Sequence, residues 1–230
     1  MFCYGIIILL VGLGLITGAA SIPVWLHRRY GQPYALLTVG VITFVLALLV
    51  QIFLLQTLNH VLLRLLFFES LMVGVVVGFT EEFARLFGFQ LLARGTVSKA
   101  QALMIGAGHG FSRTLYVGFI AVGLGLSLLG YDSQRPDDLA ALLSGALAES
   151  LNGLLPILMH MALSWLVLQV FLRGELGWLF VAIFMHSSAE IMAVLLGPED
   201  AWIVVLWRSL IAIISLAIIF RVNPPETSAT

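Results

Sequence analysis

Charged side chains are scarce in this sequence, and hydrophobic ones are in large excess. Lys, Arg, Asp and Glu make up 10% of the 230 residues, whereas 61% are hydrophobic. A soluble domain carries about 25% charged residues, and a chain of this length cannot hide so much apolar surface in its own core. The composition therefore excludes a soluble globular protein and predicts an integral membrane protein. Because the formal net charge is −1, no nucleic-acid partner is expected.

Cysteine and linker sequences are also nearly absent. Cys3 is the only cysteine, so no intrachain disulfide can form. The N-terminal segment lacks the basic region and small-residue cleavage site of a signal peptide, so we expect it to be retained as a membrane span. No soluble domain, repeat or low-complexity tract interrupts the chain. We therefore expect one integral-membrane helical domain over residues 1–220 and a short polar tail over residues 221–230.

Long apolar runs fill most of the chain. A helix needs about 20 apolar residues to cross a bilayer. Runs near that length cover residues 4–26, 34–57, 70–93, 101–129, 151–172, 177–197 and 201–220. They predict an all-α fold, a polytopic membrane bundle of about seven transmembrane helices. We expect residues 58–69 to lie at the membrane interface, and residues 139–149 to form a separate interfacial or re-entrant helix because they are too few to span.

The orientation follows from the basic residues between the runs, which favour the cytoplasmic side. With the N-terminus outside, six basic residues lie inside: Arg28, Arg29, Arg94, Lys99, Arg173 and Arg221. The outer side then holds two, Arg64 and Arg135, beside the acidic residues Asp132, Asp137, Asp138, Glu199 and Asp200. This asymmetry predicts an N-out, C-in topology. A prokaryotic cytoplasmic membrane is the expected location.

Titratable side chains stand near the middle of several predicted spans. His109, His160 and His186 each lie eight or nine residues from the start of a run, which corresponds to a depth of roughly 13 Å. Glu81 and Glu82 lie 11 and 12 residues after the start of theirs, at roughly 17 Å. Since the hydrocarbon core is about 30 Å thick, four predicted helices bring titratable groups to one level.

The free energy of placing ionised side chains in the middle of a membrane indicates which way these glutamates and histidines face. An ionised side chain at the bilayer centre costs about 2.5–3.5 kcal/mol on insertion scales. Glu81, Glu82 and Arg85 fall within five residues of one another, so they must face the bundle interior and pair. One buried histidine is usually an ordinary core residue, but three at the depth of two carboxylates predict a functional cluster. Arg208, in the last span, is expected to reach outward to the interface or to pair with Glu190.

Two chemistries suit this set of residues. In the first, a glutamate activates water, Arg85 keeps one carboxylate ionised, and the histidines orient the water or stabilise an oxyanion. In the second, a Zn²⁺ ion activates the water, since imidazoles and a carboxylate form a common zinc ligand set. The candidate ligands are His109, His160, His186 and one of Glu81, Glu82 or Glu190; His186 and Glu190 have the i, i+4 spacing that lets one helix supply two ligands. Both chemistries predict peptide hydrolysis inside the membrane.

Four segments carry a family resemblance. "EEFAR" (residues 81–85), "GAGHG" (106–110), "LMHMALS" (158–164) and "FMHSSAE" (184–190) occur in the order and spacing of the YhfC family, which are proposed intramembrane metalloproteases. That family resembles the wider clan of CAAX-processing (CPBP) glutamate proteases and PrsW-like proteases. The similarity runs from about Glu69 to Leu196. It implies a polytopic helical bundle that cleaves peptide bonds of a membrane-associated substrate.

The resemblance also implies catalytic positions. It places the catalytic carboxylate on Glu81 or Glu82, with histidines at His109, His160 and His186. The glutamate-protease pattern EExxxR appears here as EExxR, which leaves open which glutamate is the base. The pattern HxxxN appears as HxxxE, so Glu190 is expected either to hold the imidazole of His186 or to ligate a metal.

Two non-hydrolytic functions remain as alternatives. The same clan contains the anterior-pharynx-defective subunit of γ-secretase, a seven-helix scaffold with a "QEVFR"-like segment and two buried histidines. This chain is similar to it in predicted span number and topology, and a scaffold would need a membrane-protein partner. A proton-coupled transporter also uses carboxylates and histidines in the membrane, but no clear inverted repeat supports it.

Overall fold

The computed structural model describes residues 2–62, 66–129, 139–196 and 201–225, and nearly all of them are helical. The helices are α1 (Phe2–Tyr30), α2 (Tyr34–Leu62), α3 (Leu66–Phe87), α4 (Lys99–Leu129), α5 (Leu139–Arg173), α6 (Gly177–Leu196) and α7 (Ala201–Arg221). A π-helical turn, Gly88–Leu92, follows α3 directly. The predicted all-α fold is therefore confirmed over the described residues.

Six of these helices are long and apolar enough to cross a membrane. The chain is thus a multi-pass helical membrane protein. The exception is α3, which carries Glu81, Glu82 and Arg85 in its C-terminal half. A seventh span and the N-out orientation stay predictions. The residues expected on the outer side lie outside the described residues: Arg64, Asp132, Arg135, Asp137, Asp138, Glu199 and Asp200. The tail residues 226–230 also lie outside them.

One expected boundary was wrong. Residues 139–149 are no separate helix but the first three turns of α5, because this Ala- and Leu-rich segment favours a helix and contains no proline to end it. The interfacial location expected for residues 58–69 stays a prediction. Residues 58–62 continue α2, and residues 66–69 begin α3.

Two glycines let the site-bearing helices approach closely. A Cβ atom at Gly78 of α3 would overlap Ser187 of α6, the neighbour of His186. A Cβ atom at Gly106 of α4 would overlap the backbone of His160 in α5. Small residues of this kind allow tight backbone contact between membrane helices. Because of them, the polar residues of α3, α4, α5 and α6 lie within side-chain reach of one another.

Helix α5 forms the buried centre of the bundle and contains Pro156. Proline has no N–H, so the carbonyl of Asn152, four residues earlier, has no helical hydrogen-bond donor. Arg208 of α7 donates a short hydrogen bond to that carbonyl. The outward reach expected for Arg208 is therefore wrong; Glu190 and Arg208 line one small cavity, without a direct salt bridge between them. The guanidinium instead turns inward and satisfies the backbone group that the proline leaves free.

Candidate functional site

The predicted mid-depth residues converge between four helices. Glu81 and Glu82 come from α3, and His109, His160 and His186 come from α4, α5 and α6. The ring centroids of His109 and His160 are 4.8 Å apart, and those of His160 and His186 are 5.2 Å apart. All three imidazoles are fully buried, and the carboxylates are almost so. The bundle therefore holds one enclosed polar cluster.

Glu81 is the common contact of the three imidazoles. Its Oε2 atom lies 2.7 Å from Nε2 of His109, 3.5 Å from Nε2 of His186 and 4.0 Å from Nδ1 of His160. Its Oε1 atom accepts a hydrogen bond of 3.2 Å from the side-chain amide of Gln51. One carboxylate at the centre of three imidazoles is well placed to exchange a proton with a small molecule between them.

Glu82 is held in a different way. Arg85, one turn later on α3, donates a short hydrogen bond to its Oε2 atom, and Nδ1 of His186 lies 2.7 Å from its Oε1 atom. Both carboxylate oxygens are therefore occupied by protein donors. The two glutamates, which the sequence leaves equivalent, thus differ in their partners: Glu82 pairs with the Arg85 guanidinium and His186, whereas Glu81 meets the Gln51 amide and the three imidazoles.

Arg85 also determines where His160 carries its hydrogen. Nη2 of Arg85 lies 3.2 Å from Nδ1 of His160. A guanidinium can only donate, so Nδ1 accepts, and neutral His160 carries its hydrogen on Nε2. That buried nitrogen has no hydrogen-bond partner among the described residues, and neither does Nε2 of His186. Buried polar atoms of this kind normally bind a ligand, substrate or water, so two ring nitrogens are available beside Glu81.

Sequence reasoning missed two supporting residues on α2. Gln51 donates to both Glu81 and Thr80, and Oγ1 of Thr43 lies 3.1 Å from Nδ1 of His109. Both side chains are buried. A signal did exist, because each is a polar residue inside a long apolar span. Their hydrogen bonds orient Glu81 and the His109 ring.

Glu190 does not join the cluster. Its two oxygens each lie 2.8 Å from a terminal nitrogen of Arg113, which is a bidentate pair. The expectation that Glu190 holds the imidazole of His186 or ligates a metal with the histidines is therefore wrong. Arg113 occupies both oxygens, and His186 takes its carboxylate partner from Glu82 instead.

The donor set suits a zinc ion in part. Glu81, His109 and His160 each offer a ligand atom, and these three atoms lie within 4.8 Å of one another. Ligand bonds of about 2.0–2.2 Å would draw them closer together. The outer ring contact of His109 with Thr43 is of the kind that supports metal-binding imidazoles. His160 fits less well, because its contact with Arg85 leaves a hydrogen on the nitrogen that would have to bind the ion.

Comparison of the chain with models of known protein families, with curated proteins and with solved structures finds no match. The family resemblance therefore stays a prediction from the four motifs, and the case for a function depends on the geometry of the cluster.

Proposed function

We propose that this chain is an intramembrane endopeptidase in which Glu81 activates water to hydrolyse a peptide bond of a membrane-associated substrate, as the resemblance to the YhfC and CAAX-processing proteases implies. One observation carries the proposal: Glu81 is a buried carboxylate beside three imidazoles, two of which keep an unpaired ring nitrogen. A prokaryotic cytoplasmic membrane is the proposed location.

The residues divide the reaction between them. Glu81 takes a proton from water as the water oxygen bonds to the peptide carbonyl carbon. Nε2–H of His160 donates to the resulting oxyanion, which is the role of a preorganised donor in a dry site. The C–N bond then breaks, and Glu81 returns the proton to the leaving nitrogen. Glu82 and Arg85 position His186 and His160 through the contacts described above.

An apolar cavity gives a substrate access to this site. It has a volume of about 550 Å³ and lies between α2 and α3, where Leu46, Val50 and Phe83 contribute to its walls. Thr43 and Thr80 also line it, and these residues contact His109 and Gln51. A hydrophobic segment that enters sideways from the bilayer therefore needs to pass only one layer of side chains to reach the cluster.

Zinc is the cofactor that we propose for the donor set, which suits it in part. Glu81, His109 and His160 would hold it, with His186 adjacent, and a bound ion would supply a Lewis acid. The hydrogen bond from Arg85 to His160 favours the metal-free form, because His160 must lose that arrangement to become a ligand. We therefore propose the glutamate–histidine mechanism first and the zinc-dependent one second.

A non-catalytic scaffold is the second candidate function. The contacts among Glu82, Arg85 and His186 join α3 to α6, and Arg85 also reaches α5 through His160. Such a network can fix the arrangement of a bundle without performing chemistry. A scaffold of this type would co-purify with a membrane-protein partner and cleave no substrate.

The substitution Glu81→Gln separates the two functions. The amide keeps the size of the side chain but cannot accept a proton, so hydrolysis should fall by about 10²–10⁴ while the protein stays folded. The measurement is cleavage of a library of quenched membrane-segment peptides by protein in lipid nanodiscs. Glu175→Gln, at an exposed glutamate between α5 and α6 and outside both the cluster and the cavities, is the matched control and should retain the full rate. A Glu81→Gln variant that cleaves as fast as the wild type would refute the mechanism.

A further inference from the structure

A second polar cavity lies between α4, α5, α6 and α7. Its volume is about 230 Å³, and its polar lining consists of Arg113, Glu149, Asn152 and Arg208. None of the residues of the Glu81 cluster line it. It extends to Ala201, the first residue of α7, and so reaches one end of the bundle. At ~30 Å³ per molecule of liquid water, the cavity has room for several waters.

Arg113 belongs to the lining of this cavity and forms an ion pair with Glu190. Arg113 stands one helical turn beyond His109 on α4, and Glu190 stands one turn beyond His186 on α6. Their bidentate contact joins the two helices at this level. Glu190 and Arg208 also line a small cavity of about 10 Å³ next to Pro156, which is close to the volume that one water needs.

The side chains of the larger cavity require a polar solvent. Oδ1 of Asn152 is buried and has no hydrogen-bond partner among the described residues. Arg208 has five N–H donors, and the carbonyl of Asn152 satisfies one nitrogen. Ionised groups at membrane depth must face a partner or a wet cavity. Lipid chains could satisfy neither group, whereas water can satisfy both.

We propose that this cavity is a water-filled vestibule that supplies the Glu81 cluster past the Arg113–Glu190 pair, of which Arg113 lines the cavity. The inference rests on the proposed hydrolase function, because each turnover consumes one water and Glu81 is almost fully buried. The apolar cavity between α2 and α3 admits a hydrophobic segment from one side. The vestibule delivers the second reactant from the other side, so water reaches Glu81 without crossing the lipid-facing surface.

Cysteine labelling tests the vestibule without any need for activity. In a background where Cys3 is replaced by alanine, Val204→Cys and Ala193→Cys place single thiols on the cavity wall. Leu206→Cys, on the same helix as Val204 but 69% exposed on the outer surface, is the matched lipid-facing control. A small charged methanethiosulfonate reacts with thiolates, which form in water. We expect both cavity thiols to react at least tenfold faster than the control in nanodiscs; equal rates would overturn the proposal.

A blocking substitution then tests whether the vestibule supplies the reaction. Ala193→Phe fills part of the cavity, and Leu206→Phe adds the same ring on the lipid-facing surface. We expect Ala193→Phe to lower kcat at least fivefold with little change in KM, and Leu206→Phe to leave both unchanged, with unfolding transitions like that of the wild type in each case. If the cavity thiols are labelled but Ala193→Phe keeps the wild-type kcat, the cavity holds water without supplying the reaction, and the proposal is overturned. A wild-type protein that cleaves no peptide would contradict the endopeptidase proposal instead, whatever the labelling result.

Discussion

Replacing Arg85 by methionine should destabilise the bundle more than any surface substitution. Arg85 and its partner Glu82 are both 0% exposed, so removing the guanidinium leaves a buried carboxylate without its cation. Breaking a buried pair in this way costs about 3–5 kcal/mol. Nδ1 of His186 remains 2.7 Å from the other oxygen of Glu82 and can share the charge. We therefore expect Arg85→Met to lower the free energy of unfolding by about 3 kcal/mol, at the lower end of that range.

The double variant Arg85→Met/Glu82→Gln distinguishes charge from packing. Replacing both members of a buried pair by neutral groups of similar size is often nearly neutral, so it should recover at least half of the loss. Unfolding with SDS in mixed micelles, followed by the fluorescence of the five tryptophans, measures both variants. Arg94→Met, at an exposed arginine, is the control and should change stability by less than about 0.5 kcal/mol.

Two outcomes would refute the reasoning. A single Arg85→Met variant as stable as the Arg94→Met control would show that the guanidinium does not compensate a buried charge. A double variant no more stable than the single one would show that the loss comes from packing around Arg85 and not from the uncompensated carboxylate of Glu82.

Three further predictions concern packing, metal and topology. Gly78→Ala should destabilise the bundle by about 1–3 kcal/mol through overpacking, because its Cβ would overlap Ser187. The control Gly14→Ala, whose Cβ meets nothing within 4 Å, should not change stability. Equal unfolding transitions of the two variants in SDS titration would contradict this prediction. Cleavage should survive a chelator, with well under one zinc per chain by elemental analysis; about one zinc, lost together with activity, would establish the metal mechanism. A thiol at Ser98, in a background without Cys3, should be labelled from the inner side of the membrane, since the Arg94 and Lys99 flanks favour that side; labelling from outside would reverse the predicted topology.

The sequence by itself was sufficient for the helical, multi-pass architecture and for the burial of the cluster. Apolar runs of spanning length predict membrane helices, and the rise per residue converts a position in a run into a depth. The energetic cost of ionised groups in a membrane then identified Glu81, Glu82, Arg85 and the three histidines as inward-facing. The segment 139–149 was misread because apolarity alone does not mark where a helix starts, and only a helix breaker or a cap does.

Only the tertiary structure decided which of these groups are partners. Arg85 lies on the same helix as both glutamates, yet Glu82 takes the guanidinium while Glu81 meets His109 and Gln51 from two other helices. Glu190 has the spacing to join His186, but Arg113 lies opposite it and occupies both oxygens. The physical reason is that position along a helix determines depth, whereas the neighbours at that depth depend on the rotation and spacing of other helices, and those follow from contacts between residues far apart in the chain.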